Sequence, residues 1–300
     1  MRKGSRYFCI IFLFFFSIFF LAGCNEKETT ENKKIKVSQE IEYMDTKIIK
    51  IANSLNNIPL QNHTISSEEI SMEQKSSNIS SSGDSSSQET ETGSQESKSN
   101  SQSKSGNNEQ KSSITVTKLE ENSILELDTT NIDWKEIKND IETLNESWGV
   151  ILIDLSDVNA STDDILNFSS VINDSILSIK DENKKETLSN ISKLYSYIPR
   201  FETSINGDNS IKNIKQIKSN LINSYALLEE NNWAQIDNNI EEAEELFKNI
   251  MNDVNYIQGK EYKVNNTYVL LKELQNSLSY KDKKIFYIKY KNVMESINML

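Results

Sequence analysis

The residue types that carry most protein chemistry are scarce in this 300-residue chain, which holds one histidine and two cysteines. His63 follows Pro59 and Gln61 and borders a Ser-rich stretch, a poor setting for an imidazole poised as acid or base. With no second histidine, zinc sites of His/Cys type, haem attachment, a Ser-His-Asp constellation and the paired Glu-x-x-His motifs of a di-iron bundle are excluded. No Gly-rich phosphate loop appears. The stretch DVNASTDD, residues 157–164, imitates the opening of a calcium loop. Thr162 stands where the sharp turn needs glycine, and Phe168 where a bidentate glutamate belongs, so it reads better as an interhelical turn with an N-cap. Glu241, Glu242, Glu244 and Glu245 could supply a two-carboxylate hydrolase. Their spacing places them opposite an apolar seam, and the plainer reading is solvated surface.

Cys24 is different, because its surroundings give its thiol a task. Arg2, Lys3 and Arg6 precede an apolar run from Tyr7 to Leu21, the layout of a secretory signal peptide. At 1.5 Å per residue the run reaches ~23 Å, short of the ~30 Å hydrocarbon core of a bilayer. Leu21-Ala22-Gly23-Cys24 resembles the lipobox of bacterial prolipoproteins. The resemblance covers the first 24 residues. It implies a diacylglyceryl group on the Cys24 thiol, with or without an N-acyl chain, and signal-peptidase cleavage between Gly23 and Cys24. Two or three acyl chains anchor stably where one chain holds only marginally. The expected location is the outer face of the cytoplasmic membrane, and the abundance of Asn, Ile and Lys points to a low-GC Gram-positive bacterium. No other cofactor is expected.

Loss of Arg2, Lys3 and Arg6 removes three positive charges and takes the formal net charge from −12 to −15. That argues against nucleic acid and against charge-driven binding to anionic lipids or wall polymers. Cys9 leaves with the signal peptide and Cys24 is consumed by lipid, so the mature chain has no disulfide and must be held by packing.

The organisation expected from these features is a signal peptide over 1–23, a lipidated tether over 24–35 and an amphipathic helix over 36–58. A loop over 59–75, a Ser-rich linker over 76–113 and a helical domain over 114–300 follow. Val37, Ile41, Met44, Ile48, Ile51, Leu55 and Ile58 alternate spacings of four and three, an apolar helical seam that needs a partner. Docking into the C-terminal domain is favoured, since tethering holds the helix at high effective concentration. Sixteen of the 38 linker residues are serine, and so little apolar surface predicts disorder.

Residues 114–127 read as a loop or a short helix. Beyond them the period is helical throughout. Trp134, Ile137, Ile141, Leu144, Trp148, Ile151, Leu155 and Val158 form one seam, with Asp133 and Glu136 as a capping box. A second seam runs unbroken from Trp233 to Ile257 before Gly259. The three tryptophans lie in phase with these seams and read as core, while Tyr287 falls off its seam and reads as a contact residue. The fold class is all-α: an antiparallel helical bundle or helical-hairpin stack of about seven helices, plus the N-terminal helix. Residues 133–148 and 232–247 share a Trp, apolar residues at +3, +7 and +10 and an aromatic at +14, which suggests an internal repeat. Helix pairing is similar to tetratricopeptide stacks, without their 34-residue period.

The lipobox, IEYMDTKIIKIANSLNNI, DWKEIKNDIETLNESW, LYSYIP and FYIKYKNVMESIN together resemble uncharacterised helical lipoproteins of clostridial type. That resemblance implies an exported all-α domain and no activity. The expected function is a non-catalytic, lipid-anchored protein that binds another envelope protein. The alternatives are a ligand-binding lipoprotein serving a transporter or sensor and, less favoured, an Asp/Glu-dependent envelope hydrolase.

Overall fold

A computed structural model describes residues 30–60, 123–205 and 208–300. Leu21, Ala22, Gly23 and Cys24, His63 and the Ser-rich linker lie outside the described residues. The described chain is all-α, with no strand among its residues. Its helices are α1 (Thr30–Ser54), α2 (Trp134–Asp157), α3 (Thr162–Lys180), α4 (Lys184–Tyr195), α5 (Ile198–Ser204), α6 (Asn209–Leu227), α7 (Trp233–Met251), α8 (Glu261–Ser277) and α9 (Lys283–Ile297). Among the described residues no helix is long and apolar enough to cross a membrane.

Short polar turns set the path between these helices. Asn159, Glu182, Asn231 and Lys281 each take a left-handed conformation that ends a helical stretch. Within two residues a capping side chain starts the next: Ser161, Asn183, Asn232 and Asp282 accept from backbone N–H groups three positions on. The chain therefore reverses without glycine at these four corners. Pro199 lies in the first turn of α5, where its missing N–H costs nothing, so it opens a helix as α4 stops. DVNASTDD forms one of these corners: Ser161 caps α3, and Asp164 pairs with Arg200 at 3.0 Å.

Successive helices pack on one another, α2 on α3, α3 on α4, α4 on α6, α6 on α7, α7 on α8 and α8 on α9. Helix α1 runs beside α2, α4 and α5 and is covered on nearly every side. Its whole seam from Val37 to Ile58 is buried, and so are Tyr43, Ile49 and Ala52 off the seam. The helix already includes Thr30, ahead of the expected start at 36. Polar contacts give its direction. Lys33 pairs with Asp157, Lys36 with Asp154, Tyr43 with Ser147 and Lys50 with Asp140, so residue numbers fall on α2 as they rise on α1. The two helices are antiparallel. Against α6 the numbers rise together, from Glu42 and Lys215 to Asn56 and Tyr225, so that pair is parallel.

Three expectations need correction. The seam from Trp233 does not continue to Ile257. Asp253 accepts from the Tyr256 N–H and from the Ser210 hydroxyl, so it starts a separate turn, Val254–Ile257, and leaves Val254 exposed. Tyr287 is no surface contact: it is buried, and its hydroxyl donates to Asn56 at 3.3 Å. Glu244 is buried as well, because α8 lies over that side of α7 and brings Lys272 within 2.8 Å of it. Burial would push its carboxyl up, but hydrogen bonds from Lys272, Lys248 and Tyr268 hold it below the ordinary range. Trp148 lies in the core with Phe168, Phe201 and Tyr197, whereas Trp134 and Trp233 are half-buried against it. Residues 123–133 form turns, with Ile124 and Leu127 packed on the core.

Candidate functional site

The most heavily charged interior position belongs to Asp45, 1% exposed at the middle of α1. Apolar neighbours put it there: Tyr43, Met44, Ile48 and Ile49 bury their side chains around the helix, and Asp45 goes inside with them. A buried carboxylate needs paired charge. Lys215 reaches it at 2.6 Å and Lys218 at 2.8 Å, both from the α6 face that carries the buried Ile214 and Ile217. The Tyr195 hydroxyl of α4 donates to the other Asp45 oxygen. Lys215 also pairs with Glu42, one turn earlier on α1.

The electrostatics follow from this geometry. Burial alone would raise the Asp45 carboxyl, but the ammonium groups of Lys215 and Lys218 outweigh it and hold the group well below the usual carboxylate range. Burial would lower Lys215, yet Asp45 and Glu42 overcome it and push that ammonium up. Burial and the neighbouring Asp45 charge push the Tyr195 phenol far up. Glu202 of α5 is buried nearby and is also raised, by burial and by the Glu42 and Asp45 charges, with Lys215 opposing. Asp45, Lys215 and Tyr195 are thus locked in their ordinary neutral-pH states, which suits binding better than proton transfer.

One side of this cluster opens into a cleft of about 310 Å³. Glu42, Asp45, Lys215 and Lys218 line it on one side. Ile211, Ile214 and Ile297 supply apolar wall, and Tyr256, Lys260 and Leu300 complete the rim. Lys260 stands over the Tyr256 ring at 3.9 Å and donates to the Leu300 carbonyl at 2.7 Å. A second depression, about 430 Å³, lies at Asp164, Arg200 and Lys212. Arg200 there is already engaged, by Asp164 and by the Tyr197 ring at 5.1 Å.

None of the residues singled out by motif enters this cleft. Cys24 and His63 lie outside the described residues, Glu241, Glu242 and Glu245 are exposed on α7, and Asp157 to Asp164 form a corner. Among the described residues no group of His, Cys, Asp and Glu is placed to hold a metal ion. The signal for Asp45 was available in one form: apolar side chains crowd nearly all round α1 between Tyr43 and Ala52, which draws charges among them inward, as with Asp45 and Lys47. Comparison with known protein families, curated proteins and solved structures finds no match for this chain.

Proposed function

We propose that this protein is a lipoprotein held on the outer face of the cytoplasmic membrane through a diacylated Cys24, and that its helical-hairpin stack binds another envelope protein without catalysing a reaction. The anchor rests on Leu21-Ala22-Gly23-Cys24 at the end of an apolar run. The binding role rests on one surface observation. Leu166 and Leu177 of α3 are more than half exposed, as is Ile153 of the adjoining α2. Eleven residues make about three helical turns, so both leucines point the same way. They stand about 16 Å apart along α3 with exposed Ser170 and Asn173 between them, and give that face two apolar points of contact.

Metabolic labelling with a palmitate analogue tests the anchor: the wild type takes up label and Cys24→Ala does not. Cross-linking in living cells tests the partner. Wild type is expected to capture one dominant protein and the double variant L166E/L177E to lose it; capture of nothing above background removes the binding reading. The charged cleft beside Asp45 favours a second reading, a ligand-binding lipoprotein that serves a transporter or sensor.

A further inference from the structure

Lys215 and Lys218 carry three ammonium hydrogens each, and the protein accepts three of them: Lys215 gives to Glu42 and Asp45, Lys218 to Asp45. Their side chains are only 5% and 6% exposed. Buried donors of this kind take an oxygen acceptor wherever one can reach them, and the space they border is the cleft. The two carboxylates that serve them differ in kind. Asp45 is fixed inside, with 1% of its side chain exposed, while Glu42 is 61% exposed and reaches Lys215 from the solvent side. Glu42 therefore occupies an exchangeable anion position.

We propose that the cleft binds a small monocarboxylate with a short apolar body. Its carboxylate takes the place of Glu42 on Lys215 and accepts from Lys218, while its hydrocarbon lies on Ile211, Ile214 and Ile297. The exchange buries no net charge, since Glu42 returns to water as the ligand carboxylate enters. A volume of about 310 Å³ sits at the small end of ligand clefts and suits a small ligand. The assignment rests on the second reading above, that the cleft takes a ligand, and is independent of a protein contact on α3.

Calorimetric titration of the full chain with 4-methylpentanoate and with its neutral amide tests the assignment. The carboxylate is expected to bind saturably at millimolar concentration and the amide not. Glu42→Gln is expected to tighten binding by up to about fivefold, the equivalent of one exposed ion pair. Lys218→Met is expected to abolish binding. Where that variant fails to fold, the exposed Glu42 substitution still decides. Equal binding of acid and amide, or unchanged affinity in Glu42→Gln, overturns the carboxylate exchange and leaves a ligand cleft. Binding of neither probe overturns both.

Discussion

Asp45→Asn removes one charge and almost no volume, so it isolates what the buried carboxylate contributes. In the wild type Asp45 accepts from Lys215 at 2.6 Å, from Lys218 at 2.8 Å and from Tyr195. The amide has a single acceptor oxygen and no charge. Lys215 keeps Glu42, but Lys218 is then a buried ammonium with no counterion. Breaking a buried pair from one side costs about 3–5 kcal/mol, because the other charge stays inside. That is a large part of a typical ~5–15 kcal/mol stability. With a urea dependence of about 2 kcal/mol/M, the midpoint at neutral pH should fall by roughly 2 M, followed by far-UV circular dichroism. The gap should narrow in acid. A carboxyl depressed in the folded state contributes its full stability above its ordinary value of about 3.9. The wild type loses that contribution as pH falls toward the lowered folded value, and so approaches the variant. Replacing all three charges together, as D45L/K215M/K218M, should recover most of the loss, since the one acid that loses its partner, Glu42, is 61% exposed and stays solvated. An Asp45→Asn midpoint indistinguishable from wild type at neutral pH would refute the reasoning, and would mean water reaches the cluster.

Two further outcomes follow from the same geometry. Glu202→Gln should raise stability at pH 7, because a carboxyl whose folded value is raised is penalised once pH passes its unfolded value. The gain is about 1.4 kcal/mol for each pH unit by which its titration is displaced, and should vanish below about pH 4; urea midpoints at both pH values measure it, and a less stable variant at pH 7 would show that Glu202 acts as a needed partner of Lys215. Cleavage at a protease site introduced between residues 61 and 122 should leave α1 bound to the remaining helices. Seven large apolar side chains on its buried surface, at about 2 kcal/mol each, contribute roughly 14 kcal/mol as an upper estimate. Separation of the two pieces on a sizing column under native conditions would contradict that.

How much of this was legible depended on whether local chemistry or distant packing decided the outcome. Helix ends written in capping residues were readable: Asp133 does accept from the Glu136 N–H, and Ser161 does cap α3. Seams with strict alternation were readable too, and Ile137, Ile141, Leu144 and Trp148 are all buried. Asp253 defeats the pattern because the apolar spacing runs straight through a local cap: one of its oxygens accepts from the Tyr256 N–H, and the other is held by Ser210, which is distant in the chain. Tyr287 and Glu244 defeat it because a seam describes one contact face, while a helix with neighbours on two sides buries a wider arc. The cleft was illegible for the same reason. Asp45, Lys215 and Lys218 are ordinary charges beside apolar residues until α1 is known to lie against α6.

The position of α1 poses a specificity problem that apolar packing alone does not solve. Its seam repeats every turn, so it would fit nearly as well one turn up or down, and the 61–122 segment is too long to dictate register locally. The charges discriminate. Sliding α1 one turn toward the α6 N-terminus puts Asp45 about where Glu42 stands, near Lys215 but away from Lys218 and Tyr195, and one turn the other way sets it opposite Ser219 and Ile222; in both cases Lys218 or Asp45 loses a buried partner. The same slide takes Lys50 off Asp140, a buried acid 2% exposed; one direction brings Lys47, now at 3.5 Å, into its place and the other carries both lysines away. Reversing α1 breaks both sets at once. Buried ion pairs add little net stability over well-packed apolar residues. Here their effect is on the alternatives, each of which strands a charge in the core at a cost of several kcal/mol. A helix that arrives from far along the chain is thereby held to one direction and one register, and the register that satisfies Asp45 is also the one that brings Glu42 to the mouth of the cleft.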